Sequence, residues 1–351
     1  MAADINNSLE NGRYSRQVRF PGIGTEGQIS LQAGRATIIG CGALGSVSAT
    51  MLARAGVGFL RLIDRDFLET SNLQRQLLYD ENDVQSNLPK SVIASQKLRQ
   101  INSTIQIEPH VIDVDPANIH SLCSDVDVII DGTDNFETRF LINDFAVKNS
   151  IPWVYGGCLG ADGQVMTIVP GQTACLHCLM IDGPPLPGTS PTCDSFGILG
   201  PVIGVVGSMQ AIEGLKILSG EVDCVNSSLT AFSLWTNQVR QVDLSKLRSK
   251  VNCPTCKSQV FSWLDGHRAS QTAVLCGRNA VQLSFDSADK IDLQIVKNRL
   301  LPLGEVVANA YLLKFKVESF ELTLFPDGRA IVKGTEDPVV AKRLYAQYFG
   351  N

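Results

Sequence analysis

The chain has 351 residues, 44% of them apolar and 19% charged, with a formal net charge of −5. That is the make-up of a globular protein with room for one large domain and a smaller one. The acidic balance and the lack of any basic stripe exclude an electrostatic footprint for nucleic acid.

In chain order, the first thirty residues lack a basic-then-apolar pattern with a cleavage site, so no secretory leader is expected and the expected setting is cytoplasmic. Residues 1–35 read as a polar N-terminal arm, helical over Gly27–Ala33. From Ala36 strand and helix alternate. Strand 36–39 leads through Gly40-Cys41-Gly42-Ala43-Leu44-Gly45 into helix 44–55, and strand 59–63 leads into loop 65–80. Pro89 suits the first turn of a helix running to Ile101. Strand 106–112, buried strand 126–131, helix 135–148 and strand 152–156 follow. The alternation predicts an α/β fold, a doubly wound Rossmann-like, mostly parallel sheet with ligands at the carboxyl ends of its strands. Next come a turn at 161–164, a strand over 165–169 and a Pro/Gly-rich loop over 182–200. The uncharged stretch 196–212, short for a membrane span and broken by glycine and proline, reads as buried core or a subunit interface. Helix 202–218 and strands within 229–242 complete a domain spanning 36–257, and 258–271 is a linker. Residues 272–351 read as a small α/β domain of unknown role, with strands at 311–316 and 321–325, a turn at Pro326-Asp327-Gly328 and a helix over 337–348.

Several groups carry chemistry. In G-x-G-x-x-G after a strand, Gly40 permits the tight turn, Gly42 lets a phosphate approach, and Gly45 lets helix pack on strand; Gly42 and Gly45 are expected to face the nucleotide. Asp64 closes the next strand where a ribose hydroxyl would be gripped. Ser71-Asn72-Leu73-Gln74-Arg75-Gln76 offers donors and a fixed cation, as a phosphate site or as a polar surface loop. Lys90 reads either as a solvated lysine or as a phosphate contact. Asp134, in Asp131-Gly132-Thr133-Asp134-Asn135, suits Mg²⁺, and Thr133 or Asp134 alternatively caps the next helix. Cys175–Cys178 and Cys253–Cys256 have the spacing of a closed four-thiolate zinc site that staples the C-terminal half of the domain. With ten cysteines, that spacing favours metal over a disulfide framework. Cys193 is either a loop nucleophile or incidental, Cys276 beside Arg278 reads first as a strand cysteine, and Arg13 to Gln17 alone read as a frayed terminus.

In this order, Arg13-Tyr14-Ser15-Arg16-Gln17, the glycine turn, Asp64-Arg65-Asp66, Ser71 to Gln76, Pro89-Lys90, Thr133-Asp134-Asn135 and the two cysteine pairs resemble the MoeB/ThiF/HesA adenylyltransferases, relatives of ubiquitin-activating enzymes. The resemblance covers residues 10–257. It implies ATP rather than NAD, and adenylation of the C-terminal glycine of a ubiquitin-like sulfur carrier ending in Gly-Gly, with pyrophosphate release ahead of thiocarboxylate formation. The carrier would serve molybdopterin, thiamine or another sulfur product. It further implies nucleotide contacts at Gly40, Gly42, Ala43, Gly45, Asp64, Asp66, Ser71, Asn72, Gln74 and Asn135. Arg75 and Lys90 would meet phosphates, Asp134 would bind Mg²⁺, Arg16 would enter the site of a homodimeric partner, and Cys193 would handle sulfur. A sulfurtransferase or cysteine desulfurase would be a further partner. The carrier tail is expected along Gly156-Gly157 and Gly160. Competing readings are an NAD-dependent oxidoreductase and a ubiquitin-type enzyme forming a carrier thioester at Cys193.

Overall fold

The structure is a computed structural model that describes residues 12–184, 193–266, 272–275, 279–283 and 291–350, with backbone alone for 193–194 and 272–275. The chain divides into two compact units, Met1–Leu186 with Gly197–Arg268, and Pro187–Phe196 with Ala269–Asn351.

The first unit opens with α1 (Ser15–Val18) and α2 (Gly24–Ala33). Then come β1 (Arg35–Ile39), α3 (Ala43–Ala55), β2 (Phe59–Ile63), α4 (Glu81–Ser86), α5 (Lys90–Ile101), β3 (Gln106–His110), α6 (Ile119–Cys123), β4 (Val128–Asp131) and α7 (Phe136–Asn149). β5 (Trp153–Leu159) and β6 (Asp162–Ile168) form a hairpin followed by α8 (Leu176–Leu179). The short α9 (Cys193–Phe196) falls in the second unit, and the first resumes with α10 (Gly200–Leu218), β7 (Ser228–Ser233), β8 (Gln238–Asp243) and α11 (Leu247–Lys250).

One eight-stranded sheet runs β3-β2-β1-β4-β5-β6-β7-β8. Pairs from β3 to β5 are parallel and those from β5 to β8 antiparallel. Alternate residues point to opposite faces, so Ile38, Leu60, Leu62 and Ile130 join one core, and Ile39, Phe59, Ile63 and Ile129 the other. The strand order reverses between β1 and β4, the switch point at which such sheets bind ligands. α10 is long and apolar enough to cross a membrane, but half of it is buried within this unit. Its Gly207 lies where a Cβ would be 2.7 Å from Val47 of α3.

The second unit has β9 (Thr272–Leu275), β10 (Ala280–Leu283), α12 (Leu293–Leu300), β11 (Glu305–Ala308), β12 (Leu313–Val317), β13 (Phe320–Leu324), β14 (Ala330–Lys333) and α13 (Pro338–Tyr348). Its antiparallel sheet runs β11-β12-β13-β14-β10-β9. Leu293, Val296 and Leu300 of α12 and Ala341 and Leu344 of α13 close its core. Asp292 and Asp337 cap these helices, accepting main-chain N–H bonds at 2.8 Å.

Some expectations are corrected. The hairpin turn is Gly160-Ala161, not 161–164: β6 already starts at Asp162, paired with Leu159, and Gly160 has φ +61°. α4, capped by Asp80, follows the loop without an apolar stripe to announce it. The Arg13–Gln17 segment is docked rather than frayed. Tyr14 is buried against Gly56, its hydroxyl accepts a hydrogen bond from Asn102 (2.9 Å), and Gln17 Nε2 donates to the Ala55 carbonyl (2.9 Å). Gly56 ends α3 at φ +83°, where a Cβ would sit 2.4 Å from the Tyr14 ring. At Gly156, Gln210 fills the space a Cβ would take, and at Gly157, Tyr155 and Gln164 do.

Candidate active site

Three glycines interlock at the switch point. Gly40 has φ +88° and a Cβ there would meet the Gly132 carbonyl oxygen at 2.6 Å. At Gly45 a Cβ would lie 1.8 Å from the Gly40 oxygen, and at Gly132 one would lie 2.2 Å from it. Only Gly42 faces open space, with Gln76 Nε2 at 3.8 Å as nearest neighbour. Gly45 is buried against the turn, where its lack of a side chain serves close packing. Gly42 is the N-cap of α3, no side chain caps that helix, and its first N–H groups are left for an anion.

Asp64 holds the turn in place. Its Oδ2 accepts the Cys41 N–H and its Oδ1 the Asp66 N–H, each at 2.7 Å. Burial raises its pKa to about 6, against the pull of Lys90 and with the push of Asp66. Lys90 is buried rather than solvated, with Nζ 3.4 Å from Asp66 Oδ2. The Tyr79 hydroxyl donates to the Cys41 carbonyl at 2.6 Å. The glycine turn, the loop after β2 and the start of α5 therefore form one connected unit.

Asn72 is buried at the end of a 3₁₀ turn, where its Oδ1 accepts the Glu69 N–H (3.2 Å) and its own N–H bonds the Glu69 side chain. Arg75 Nη1 donates to the Ser71 carbonyl (2.9 Å), while Ser71 and Gln74 are exposed. A Cβ on Gly200 would approach the Gln74 oxygen to 2.8 Å, so α10 begins against this loop.

Across the switch point, the helix cap is Asn135 rather than Thr133 or Asp134: its side chain accepts the Thr138 N–H at 2.9 Å. Asp134 is exposed and its carboxylate accepts no hydrogen bond among the described residues. Asp131 is fully buried and bonded to Thr133 and Arg139. Only Asp134 of the two acids is thus presented for a cation, which fits a hard metal ion.

The four sulfurs of Cys175, Cys178, Cys253 and Cys256 converge, all within 4.8 Å of one another. Separations of 3.7, 3.6 and 3.3 Å along three of the edges approach the roughly 3.8 Å that four tetrahedral 2.3 Å zinc–sulfur bonds imply. Hydrogen bonds to its three neighbours push the Cys175 thiol up, while those from Cys175 and Cys178 hold Cys253 well below the thiol range. Without a cation the sulfurs share protons; a dication lets all four ionise. Behind them, His177 Nδ1 meets Thr255 Oγ1 (2.8 Å), and Thr255 donates to buried Asp144 (3.0 Å).

Arg16 lies exposed on α1, away from any ion pair among the described residues. Cys193 starts α9 but its side chain is outside the described residues, as are Cys276 and residues 185–192 of the crossover loop. Two basic residues near these acids carry no role in the sequence reading. Arg65 is ion-paired with Asp113, and despite burial its charge is reinforced by Asp113, Asp66, Asp134 and Asp64. Arg139 lies buried beneath the Asp134 loop. Their signal was faint: a basic residue just after a strand-end acid, and one eight residues beyond another.

This is the architecture of a mostly parallel α/β protein with a glycine turn at its switch point and a four-cysteine cluster that could hold a metal ion. The sequence matches the ThiF family over residues 14–255, and the chain belongs to that family. It is 44% identical over 340 residues to the sulfur carrier protein ThiS adenylyltransferase of Bacillus subtilis, covering 97% of this chain and 99% of that one. It is 36% identical to the SAMP-activating enzyme E1 of Haloferax volcanii, over 70% of this chain and 88% of that one. It is also 36% identical to the adenylyltransferase and sulfurtransferase MOCS3 of Xenopus laevis, over 76% of this chain and 57% of that one. The solved structure of E. coli MccB with ATP shares the fold, with a TM-score of 0.61 at 23% identity over 72% of this chain and 75% of that one.

Proposed function

We propose that this chain uses ATP to adenylate the C-terminal glycine carboxylate of a ubiquitin-like sulfur-carrier protein, releasing pyrophosphate ahead of thiocarboxylate formation. The likeness to the ThiS adenylyltransferase over 97% of this chain and 99% of that one carries the reading and favours a carrier like ThiS. An NAD-dependent oxidoreductase would leave Lys90, Arg75 and Asp134 without work, and the family match disfavours it.

The nucleophile is a carboxylate, ionised at neutral pH, so no general base is required. Its oxygen forms a bond to the α-phosphorus as the bond to the bridging oxygen breaks, and pyrophosphate leaves with the electron pair. The obstacle is the meeting of two anions. In this reading the free N–H groups after Gly42 and Ala43 receive phosphate, Asp64 and Asp66 hold the ribose side, and Asn72, Arg75 and Lys90 face the phosphates. Ser71, Gln74 and Asn135 line the same edge. Mg²⁺, held through Asp134, would supply charge neutralisation at the phosphates. Arg16 fits a role in the site of a second copy, because the docked Tyr14 and Gln17 anchor its helix and leave its guanidinium outward. Zinc at the four cysteines is structural, since a closed thiolate site keeps no open position. Cys193 would act in sulfur handling with a sulfurtransferase or cysteine desulfurase.

The test is ATP–pyrophosphate exchange against a panel of purified carriers ending in Gly-Gly. Exchange that depends on one such carrier and on its terminal glycine is expected. Carrier-independent exchange, or none with any carrier, overturns the reading.

A further inference from the structure

We propose that Arg139 is a positioning residue that sets the cation-binding geometry of Asp134 by clamping the loop between β4 and α7. The proposal rests on the reading of Asp134 as the magnesium-binding acid.

The loop is gripped from below at successive points. Arg139 Nε donates to Asp131 Oδ2 (3.0 Å), and Nη2 donates both to the Thr133 carbonyl (2.8 Å) and to the Gly156 carbonyl of β5 (2.9 Å). The other Asp131 oxygen accepts the Thr133 N–H (2.9 Å) and hydroxyl (2.6 Å). Gln210 of α10 donates to the Asp131 carbonyl at 2.6 Å. The ring of Tyr155 lies 5.1 Å from the guanidinium carbon.

The peptide that joins Thr133 to Asp134 is therefore fixed through its carbonyl, and the residue after Asp134 is fixed as a helix cap. Asp134 is bracketed on both sides although its own carboxylate has no hydrogen bond among the described residues. A buried ion pair is a weak device for stability alone, since well-packed apolar side chains often replace one without loss. What an apolar side chain cannot do is hold the carboxylate that ends β4, a carbonyl of the loop after it and a carbonyl of β5 at once. A lysine keeps the charge but not the planar fork.

The experiment compares Arg139→Lys with the wild type by titrating Mn²⁺, followed by electron paramagnetic resonance, in the presence of α,β-methylene-ATP. A rise of at least tenfold in the Mn²⁺ dissociation constant is expected, with a thermal midpoint within a few degrees of wild type and exchange partly recovered by added Mg²⁺. A folded Arg139→Lys with Mn²⁺ affinity within twofold of wild type overturns the proposal. If Arg139→Lys does not fold, Arg139→Gln, which keeps an amide donor but loses the fork and the charge, is read in the same titration: a threefold or greater rise supports the clamp and a smaller one overturns it. Asp134→Ala separates the two layers. Retained Mn²⁺ affinity there overturns the metal reading and the clamp with it, whereas loss there without loss in Arg139→Lys overturns the clamp alone.

Discussion

Lys90 and Asp66 are joined twice, by an ion pair of 3.4 Å between side chains and by a main-chain bond of 2.8 Å from the Lys90 N–H to the Asp66 carbonyl. The second bond places the start of α5 against the loop after β2, and the first turns the lysine into the strand-end edge where Asp64 also lies. Lys90 thus lowers the pKa of Asp64 while burial raises it.

Lys90→Gln should reduce carrier-dependent exchange by about 10²–10³-fold, the usual effect of removing one preorganised electrostatic partner. It should also let the Asp64 pKa climb above about 6, because the opposing cation is gone. The acid limb of ATP binding should then move to higher pH in the variant, measured by fluorescence titration of a nucleotide analogue across pH 5–8. An unmoved limb would detach Lys90 from Asp64.

Asp64 gives a stability signature of its own. Its folded pKa of about 6 lies above the ordinary aspartate value of 3.8, so its contribution is fully present below about pH 4 and is lost as pH rises through about 6. Wild-type stability relative to Asp64→Asn should therefore decline between pH 4 and 6 and stay level above, in denaturant melts. A difference that grows with pH over that window would contradict the buried setting of this carboxyl.

The second and third glycines of the turn should part company. Gly45→Ala drives a Cβ to 1.8 Å from a backbone oxygen and should prevent the turn from forming, seen as loss of soluble folded protein. Gly42→Ala meets only the Gln76 amide at 3.8 Å, so the melting temperature should stay within about 2 °C while the KM for ATP rises about tenfold. Equal effects on folding would refute the division of labour.

Each chain should release one zinc ion on denaturation, counted with a chromogenic chelator. Cys256→Ser should lower stability by about 4 kcal/mol, the loop-closure scale for a cross-link spanning some 75 residues. Exchange by the folded fraction should persist, because the closed thiolate cluster takes no part in the chemistry.

Arg16→Ala and Asp134→Ala subunits, each inactive alone, should recover roughly a quarter of wild-type exchange when mixed, if a subunit lends its arginine to its partner. Absence of any recovery in a mixture shown by mass to contain heterodimers would remove the trans arginine.

Much of the fold is legible along the chain. Buried runs at 36–39, 59–63 and 126–131 announce parallel strands, and the glycine turn and Asp64 fall one step past their runs and Asp134 three steps past its own, at the carboxyl ends of the strands. The second unit was harder to read: β10 and β14 are four residues each, too short for periodicity to separate strand from loop. The cysteine pairs were legible by spacing, but only folding shows that four sulfurs meet.

The sequence by itself determined the strand–helix order, the glycine turn and the inventory of acids, cations and thiols, since these depend on local periodicity and residue chemistry. Only the tertiary structure decided which of them work together. It buried Lys90, left Asp134 outward while sealing Asp131 beneath it, and brought Arg139 under the loop with Gly156 and Gln210. Those outcomes depend on approaches between segments up to 79 residues apart, and a chain's local pattern carries no record of which distant atoms will compete for the same few ångströms.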